Sequence, residues 1–174
     1  MPLLYVFRHA KSSWADTALK DFDRPLANRG LKAAARMGLV MRDTKVKPDF
    51  ILCSTSRRTR ETLGLVLPFL EGEARILLED SIYEARNENE MIERLRRLPN
   101  GTKRAMLIGH NPIMQDLTLA LTKSATDPDR LIAAREKFPT AGLAVLDLGD
   151  LPWPALGPDT GILKDFIAPR ELPN

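Results

Sequence analysis

The chain has two histidines in 174 residues, and each follows a run of apolar residues. Residues 3–7 lead into Arg8 and His9, and residues 105–108 lead into Gly109, His110 and Asn111. A third apolar run, 50–53, leads into Ser54-Thr-Ser-Arg-Arg58-Thr-Arg-Glu-Thr62, and a fourth, 75–78, into Asp80, Tyr83 and Glu84. Imidazoles beside guanidiniums suit a phosphoryl group. Arginine offers a planar fork of donors for two of its oxygens at once. A helix opening near Ser56 adds free backbone N–H groups and a positive dipole end. A neutral imidazole attacks phosphorus, and nearby arginines disfavour its protonated form. No Walker loop, Gly-rich dinucleotide fingerprint or aspartate cluster occurs. The charge would be met by side chains, with catalysis resting on electrostatic preorganisation.

These residues act together only if the fold brings four strand ends to one edge. The pattern provides for this. Strands are expected at 3–7, 50–53, 75–78, 105–108, 142–148 and 162–167. Helices are expected at 29–43, 56–67, 88–98 and 112–122, with another opening at Asp127-Pro128-Asp129. Asn111 is placed as a helix N-cap with Pro112 in the first turn. Strands alternating with amphipathic helices imply an α/β, three-layer sandwich, a mainly parallel sheet with helices on both faces. Right-handed crossovers then align the strand C-terminal ends, where ligands bind in open α/β sheets. The whole of 1–174 reads as one domain. The Pro- and Gly-rich stretch 148–161 reads as a surface connection between hairpin strands.

Composition narrows the classes. Hydrophobic residues are 44% and charged residues 28%, a globular balance. The net charge is +3 and the pI about 9.2, mildly basic. Aromatics at 6% are too scarce for a single-strand platform, so no nucleic-acid partner is expected. No apolar run approaches a membrane span, and the N-terminus does not read as a signal peptide, so a cytoplasmic location is expected. One cysteine, Cys53, excludes an intramolecular disulfide and a cysteine-based zinc site. It also invites comparison with cysteine phosphatases, which use Cys-x5-Arg followed by Ser or Thr. Here the Arg58-Thr59 pair arrives one residue early, the loop lacks glycine, and Cys53 ends an apolar strand, where a buried inert thiol is common.

The order of Arg8-His9-Ala10, Ser54-x3-Arg58-x3-Thr62 and Gly109-His110-Asn111-Pro112 resembles the histidine phosphatase superfamily, of phosphoglycerate mutase-like fold. Asp21-Phe-Asp-Arg-Pro-Leu-Ala-Asn-Arg-Gly30 and the short chain are similar to its small SixA-type phosphohistidine phosphatases. The resemblance covers about the first two thirds of the chain. It implies that His9 is the nucleophile that becomes phosphorylated and that Arg8, Arg58 and His110 hold the transferring group. It implies no metal or organic cofactor, and hydrolysis of the phosphoenzyme by water. Many relatives read Arg-His-Gly-Glu where this chain has Ala10 and Lys11. Glu84 is the positional candidate for a general acid, with Asp80 and Glu88 as rivals. Ser54 and Asn111 are candidates for further substrate contact, although Ser54 and Thr62 equally fit capping and packing. Asp21, Asp23 and Arg24 either pin a loop or frame substrate.

The expected substrate is a phosphorylated protein bearing phosphohistidine, whose imidazole leaves well once protonated. A small phosphoester is the alternative, and an alkoxide leaving group needs a proton far more. A mutase reading lacks room after Glu84 for a substrate-enclosing insertion. A non-catalytic phosphate- or phosphoprotein-binding module is the other class. Oligomeric state is not read from the sequence.

Overall fold

The computed structural model describes residues 1–171, the last of them by its backbone. Seven strands form one sheet: β1 (Leu3–Arg8), β2 (Phe50–Ser54), β3 (Arg75–Glu79), β4 (Arg104–Gly109), β5 (Thr122–Ala125), β6 (Leu143–Asp147) and β7 (Gly161–Ile167). Their order is β3-β2-β4-β1-β6-β7-β5. β1, β2, β3 and β4 pair in parallel, and β6 runs against both β1 and β7. The helices are α1 (Asn28–Asp43), α2 (Arg57–Val66), α3 (Asp80–Glu84), α4 (Glu88–Arg96), α5 (Ile113–Leu121) and α6 (Pro128–Glu136).

The apolar runs are continuous because the central strands are covered on both sides. Alternate residues of β1 go to opposite faces, as the pleat requires. Leu4 and Val6 join a core with Met91, Leu95, Leu117 and Leu121 from α4 and α5. Tyr5 and Phe7 join another with Ala34, Met37, Met41, Leu63 and Val66 from α1 and α2. The expected mainly parallel, three-layer α/β architecture is what the chain adopts.

Three details differ from the sequence reading. β5 has the sequence Thr-Lys-Ser-Ala and is largely exposed at the sheet edge. It lacks the apolar alternation by which a strand is read. The connection 148–161 does join antiparallel strands and keeps Asp150, Pro152, Pro154, Ala155, Pro158 and Asp159 at the surface, but it is also anchored inward. Trp153 and Leu156 are buried, the Trp153 indole donates to the Thr102 carbonyl at 2.8 Å, and Arg96 donates to the Leu156 carbonyl at 2.6 Å. Apolar surface available on α4 draws the loop inward despite its Pro and Gly content. Finally, Asn111 does not cap α5; Pro112 occupies that position. The Asp127 cap is present, accepting from Asp129 N–H at 2.9 Å.

Candidate active site

Strand register brings the two histidines together. Arg8 lies opposite Gly109 in the β1–β4 pair, so the next residues, His9 and His110, emerge side by side. His9 N–H donates to the Gly109 carbonyl at 3.1 Å. The imidazole centroids are 5.2 Å apart, with the rings tilted by 52°. Cys53 opposes Ile108 in the β2–β4 pair, which carries Ser54 to the level of Gly109, one residue before His110.

Each ring is held in one tautomer by a partner with a single role. The Ala10 carbonyl only accepts, so His9 Nδ1 carries the proton that bonds it at 2.7 Å. This leaves the His9 Nε2 lone pair available. Arg58 Nη2 only donates, so His110 Nδ1 accepts from it at 3.3 Å, and His110 Nε2–H donates to Ser54 Oγ at 2.7 Å. Both rings are kept neutral. Burial lowers His9 to about 3; the Ala10 hydrogen bond opposes this, and electrostatic coupling to His110 and the positive charges of Arg58 and Arg8 add to it. Burial and Arg58 lower His110 to about 4, with Asp21 opposing.

The guanidiniums supply unused donors. Arg58 is almost fully buried, on the side of α2 facing the sheet, while Arg57 turns out to Glu61. Arg58 Nη1 donates to the Asp21 carbonyl at 2.7 Å and Nη2 to Asp21 Oδ2 at 3.0 Å. Arg8 Nη1 donates to the Phe138 carbonyl at 2.8 Å. The Nε atoms of Arg8 and Arg58 are buried with no hydrogen-bond partner among the described residues. Burial and the nearby Arg58 lower the pKa of Arg8. Buried unpaired donors are costly.

The Ser54-x3-Arg58-x3-Thr62 spacing has a structural explanation. Ser54 ends β2 and anchors His110. Arg58 is the second residue of α2. Thr62 Oγ1, one turn further, donates to the Arg58 carbonyl at 2.7 Å and accepts from Ala10 N–H at 3.0 Å. Thr62 therefore fixes the residue after His9. Gly30, in the first turn of α1, passes the Lys11 carbonyl so closely that a Cβ there would overlap it. Helix α1 thus braces the same loop.

Other expected residues fall differently. Glu84 is exposed, and no hydrogen bond or ion pair ties it to His9, Arg58 or His110 among the described residues. The side chain that reaches the site from α3 is Tyr83. Its ring packs edge-on against His110 at 5.6 Å and its hydroxyl donates to Asp21 Oδ2 at 2.9 Å. Successive helical residues point about 100° apart, so Tyr83 and Glu84 cannot both face inward. Asp80 accepts from Thr55 Oγ1. Glu88 accepts from Asn89 Nδ2 at 3.5 Å. Asn111 spends its amide on the Phe138 carbonyl at 3.1 Å, and its Oδ1 is buried without a partner among the described residues. Cys53 is fully buried, its thiol donates to the Ser54 carbonyl at 3.4 Å, and burial pushes it up to about 12. It is no nucleophile.

The residue that sequence reasoning placed least firmly is Asp21. Its partial burial pushes its pKa up, but hydrogen bonds from Arg24, Tyr83 and Arg58 outweigh this and hold it at about 2. Arg24 also donates to Ser12 Oγ at 2.8 Å and lies 3.5 Å over the Trp14 ring. The loop is thereby pinned to the site. Among the described residues no cluster of three or more His, Cys, Asp or Glu side chains could hold a metal ion, and no helix is long and apolar enough to cross a membrane.

A neutral imidazole beside buried guanidiniums, at the C-terminal edge of this sheet, is an arrangement suited to a phosphoryl group. The chain belongs to the histidine phosphatase superfamily (branch 1), whose family model matches residues 4–87, and is of the SixA type, with the phosphoglycerate mutase-like fold. It is 34% identical over 165 residues to the uncharacterized protein Rv1276c of Mycobacterium tuberculosis, covering 94% of this chain and 99% of that one. It is 33% identical to a SixA-type protein of Agrobacterium tumefaciens whose phosphohistidine phosphatase activity is itself an assignment. The TM-score is 0.78, over 97% of this chain and 99% of that one. The protein histidine phosphatase SixA complexed with tungstate shares the fold at 19% identity, with a TM-score of 0.75 over 97% of this chain and 98% of that one.

Proposed function

We propose that this chain is a cofactor-independent phosphatase that hydrolyses protein phosphohistidine through phospho-His9. One observation carries the reading. His9 Nδ1 is bonded to the Ala10 carbonyl, which leaves a neutral Nε2 lone pair close to the Arg58 and Arg8 guanidiniums. In the first step His9 Nε2 forms a bond to phosphorus as the P–N bond to the substrate imidazole breaks. A substrate ring protonated on its other nitrogen leaves as neutral imidazole. Water then attacks phosphorus, releasing inorganic phosphate and free His9. Arg8, Arg58 and His110 hold the equatorial oxygens; when the anion arrives, His110 Nδ1 takes up a proton and becomes a donor.

The substrate class follows from the acid. Glu84 is exposed, and the Asp21 carboxyl is ionised and committed to Arg58. With no neutral carboxyl placed at the site among the described residues, P–N cleavage is favoured over release of an alkoxide. The same fold that hydrolyses small phosphoesters elsewhere would here turn over an aryl phosphate slowly.

The test runs wild type and His9→Ala in parallel, with EDTA, on a phosphohistidine protein and an aryl phosphate. Turnover that survives EDTA, favours phosphohistidine and vanishes in the variant is expected. Activity persisting in His9→Ala would sink the mechanism. Phosphate binding without turnover of either substrate would instead make the chain a binding module.

A further inference from the structure

Arg8 belongs to two places at once. Besides facing His9, it lines a cavity of about 350 Å³ together with Lys11, Arg29, Lys137, Thr140 and Arg170. A second cavity of about 440 Å³ shares Arg29 and Arg170 and continues to Lys32 and Arg36. Cations from the loop after β1, from α1, from the segment after α6 and from the end of the described chain therefore converge on one groove. No carboxylate lines either cavity among the described residues. Lys11, Arg29, Lys32, Lys137 and Arg170 are exposed, and none forms an ion pair among the described residues. This concentration stands out in a chain whose net charge is only +3.

We propose that this groove docks an acidic segment of the polypeptide that carries the phosphorylated residue, next to the phosphoryl group held at His9. The inference rests on the phosphatase reading and extends it from a reacting group to a partner surface. Three features select the occupant. The groove begins at Arg8, so a chain seated in it continues directly from the phosphoryl pocket. It extends through two cavities, further than a single phosphorylated metabolite requires. And it has no aromatic side chain among its lining residues, so nucleobases find nothing to stack on. Aspartate and glutamate side chains match spaced cations, and such complementarity acts mainly on encounter and selectivity, falling with salt.

The catalytic test uses two short peptides, each with one phosphohistidine, flanked by Asp and Glu in one and by Ser and Gln in the other. Phosphoramidate serves as a substrate with no flanks. Wild type is expected to prefer the acidic peptide roughly tenfold in kcat/KM at low salt, with the preference lost at high salt. Lys137→Glu/Arg170→Glu is expected to abolish the preference while leaving phosphoramidate hydrolysis unchanged. Arg29→Glu should act the same way, and an acid in the first turn of α1 favours that helix, which guards against a folding artefact. Equal turnover of both peptides by wild type, or a preference that survives the charge reversals, overturns the proposal.

Binding is measured separately by fluorescence anisotropy, with an unphosphorylated acidic peptide and with oligothymidylate. Charge-reversal-sensitive binding of the acidic peptide is expected. Tighter binding of oligothymidylate, lost in the same variants, overturns the proposal in favour of nucleic acid. If no phosphorylated probe is hydrolysed while the acidic peptide still binds through Lys137 and Arg170, the phosphatase reading fails and the docking surface stands.

Discussion

Asp21 and Arg58 are bound to each other twice: Arg58 Nη1 donates to the Asp21 carbonyl at 2.7 Å and Nη2 to its carboxylate at 3.0 Å. The carboxylate thus takes up donors that a phosphoryl oxygen would use. Since Arg24 and Tyr83 also bond Asp21, it has partners to keep when Arg58 turns to an incoming anion. The acid is a resident counter-ion of Arg58, one that an incoming phosphoryl group would have to displace.

Asp21→Asn should therefore tighten the binding of tungstate or inorganic phosphate, by roughly tenfold for about 1.4 kcal/mol of relieved competition. Inhibition constants against the phosphohistidine substrate give the measurement. Weaker inhibition in the variant would show that Asp21 instead holds Arg58 in its working position.

Ser54→Ala removes the acceptor for His110 Nε2–H, bonded at 2.7 Å, and frees the ring to rotate or change tautomer. Losing such an orienting partner should lower kcat by about tenfold or more. Nitrogen NMR of the His110 ring should show mixed tautomers. Unchanged kcat with one tautomer would assign Ser54 to packing alone.

How much of this was legible in the residues differs from group to group. His9, His110 and Arg58 were legible because each follows an apolar run, and the ends of parallel strands share an edge. Tyr83 was not. The segment after β3 shows no helical periodicity over five residues, so the phase that turns Tyr83 in and Glu84 out could not be assigned. The Asp21–Arg58 bond closes across a loop with no repeating pattern, and the Ala10 and Phe138 carbonyls are backbone groups with no side-chain signature. Trp153 was hidden for a further reason: prolines and glycines mark a turn but not the face on which it packs.

Cys53 gives a clean negative expectation. Its thiol is buried and held at about 12, so Cys53→Ala should retain activity while losing stability modestly through the small cavity it leaves. Iodoacetamide should label the wild-type thiol only after unfolding. An inactive but folded Cys53→Ala variant would reopen thiol chemistry.

Acid should destabilise this fold earlier than its carboxylates alone would dictate. His9 and His110 are held at about 3 and about 4 in the folded chain, against 6.5 for a free imidazole. As pH falls below about 6.5, the unfolded chain binds two protons that the folded chain refuses. Stability then falls with pH, by about 1.4 kcal/mol per unit for each imidazole that stays neutral, until the folded rings protonate. Asp21 works in a lower window: with its pKa depressed from 3.8 to about 2, its contribution is lost only as pH falls through that range. Denaturant titrations at pH 7 and pH 5 should show a large drop for wild type and a smaller one for His9→Asn/His110→Asn. An equal drop in both would mean the imidazoles are not held neutral. Saturating phosphate should also shrink the wild-type drop, because the bound anion lets His110 take a proton in the folded state.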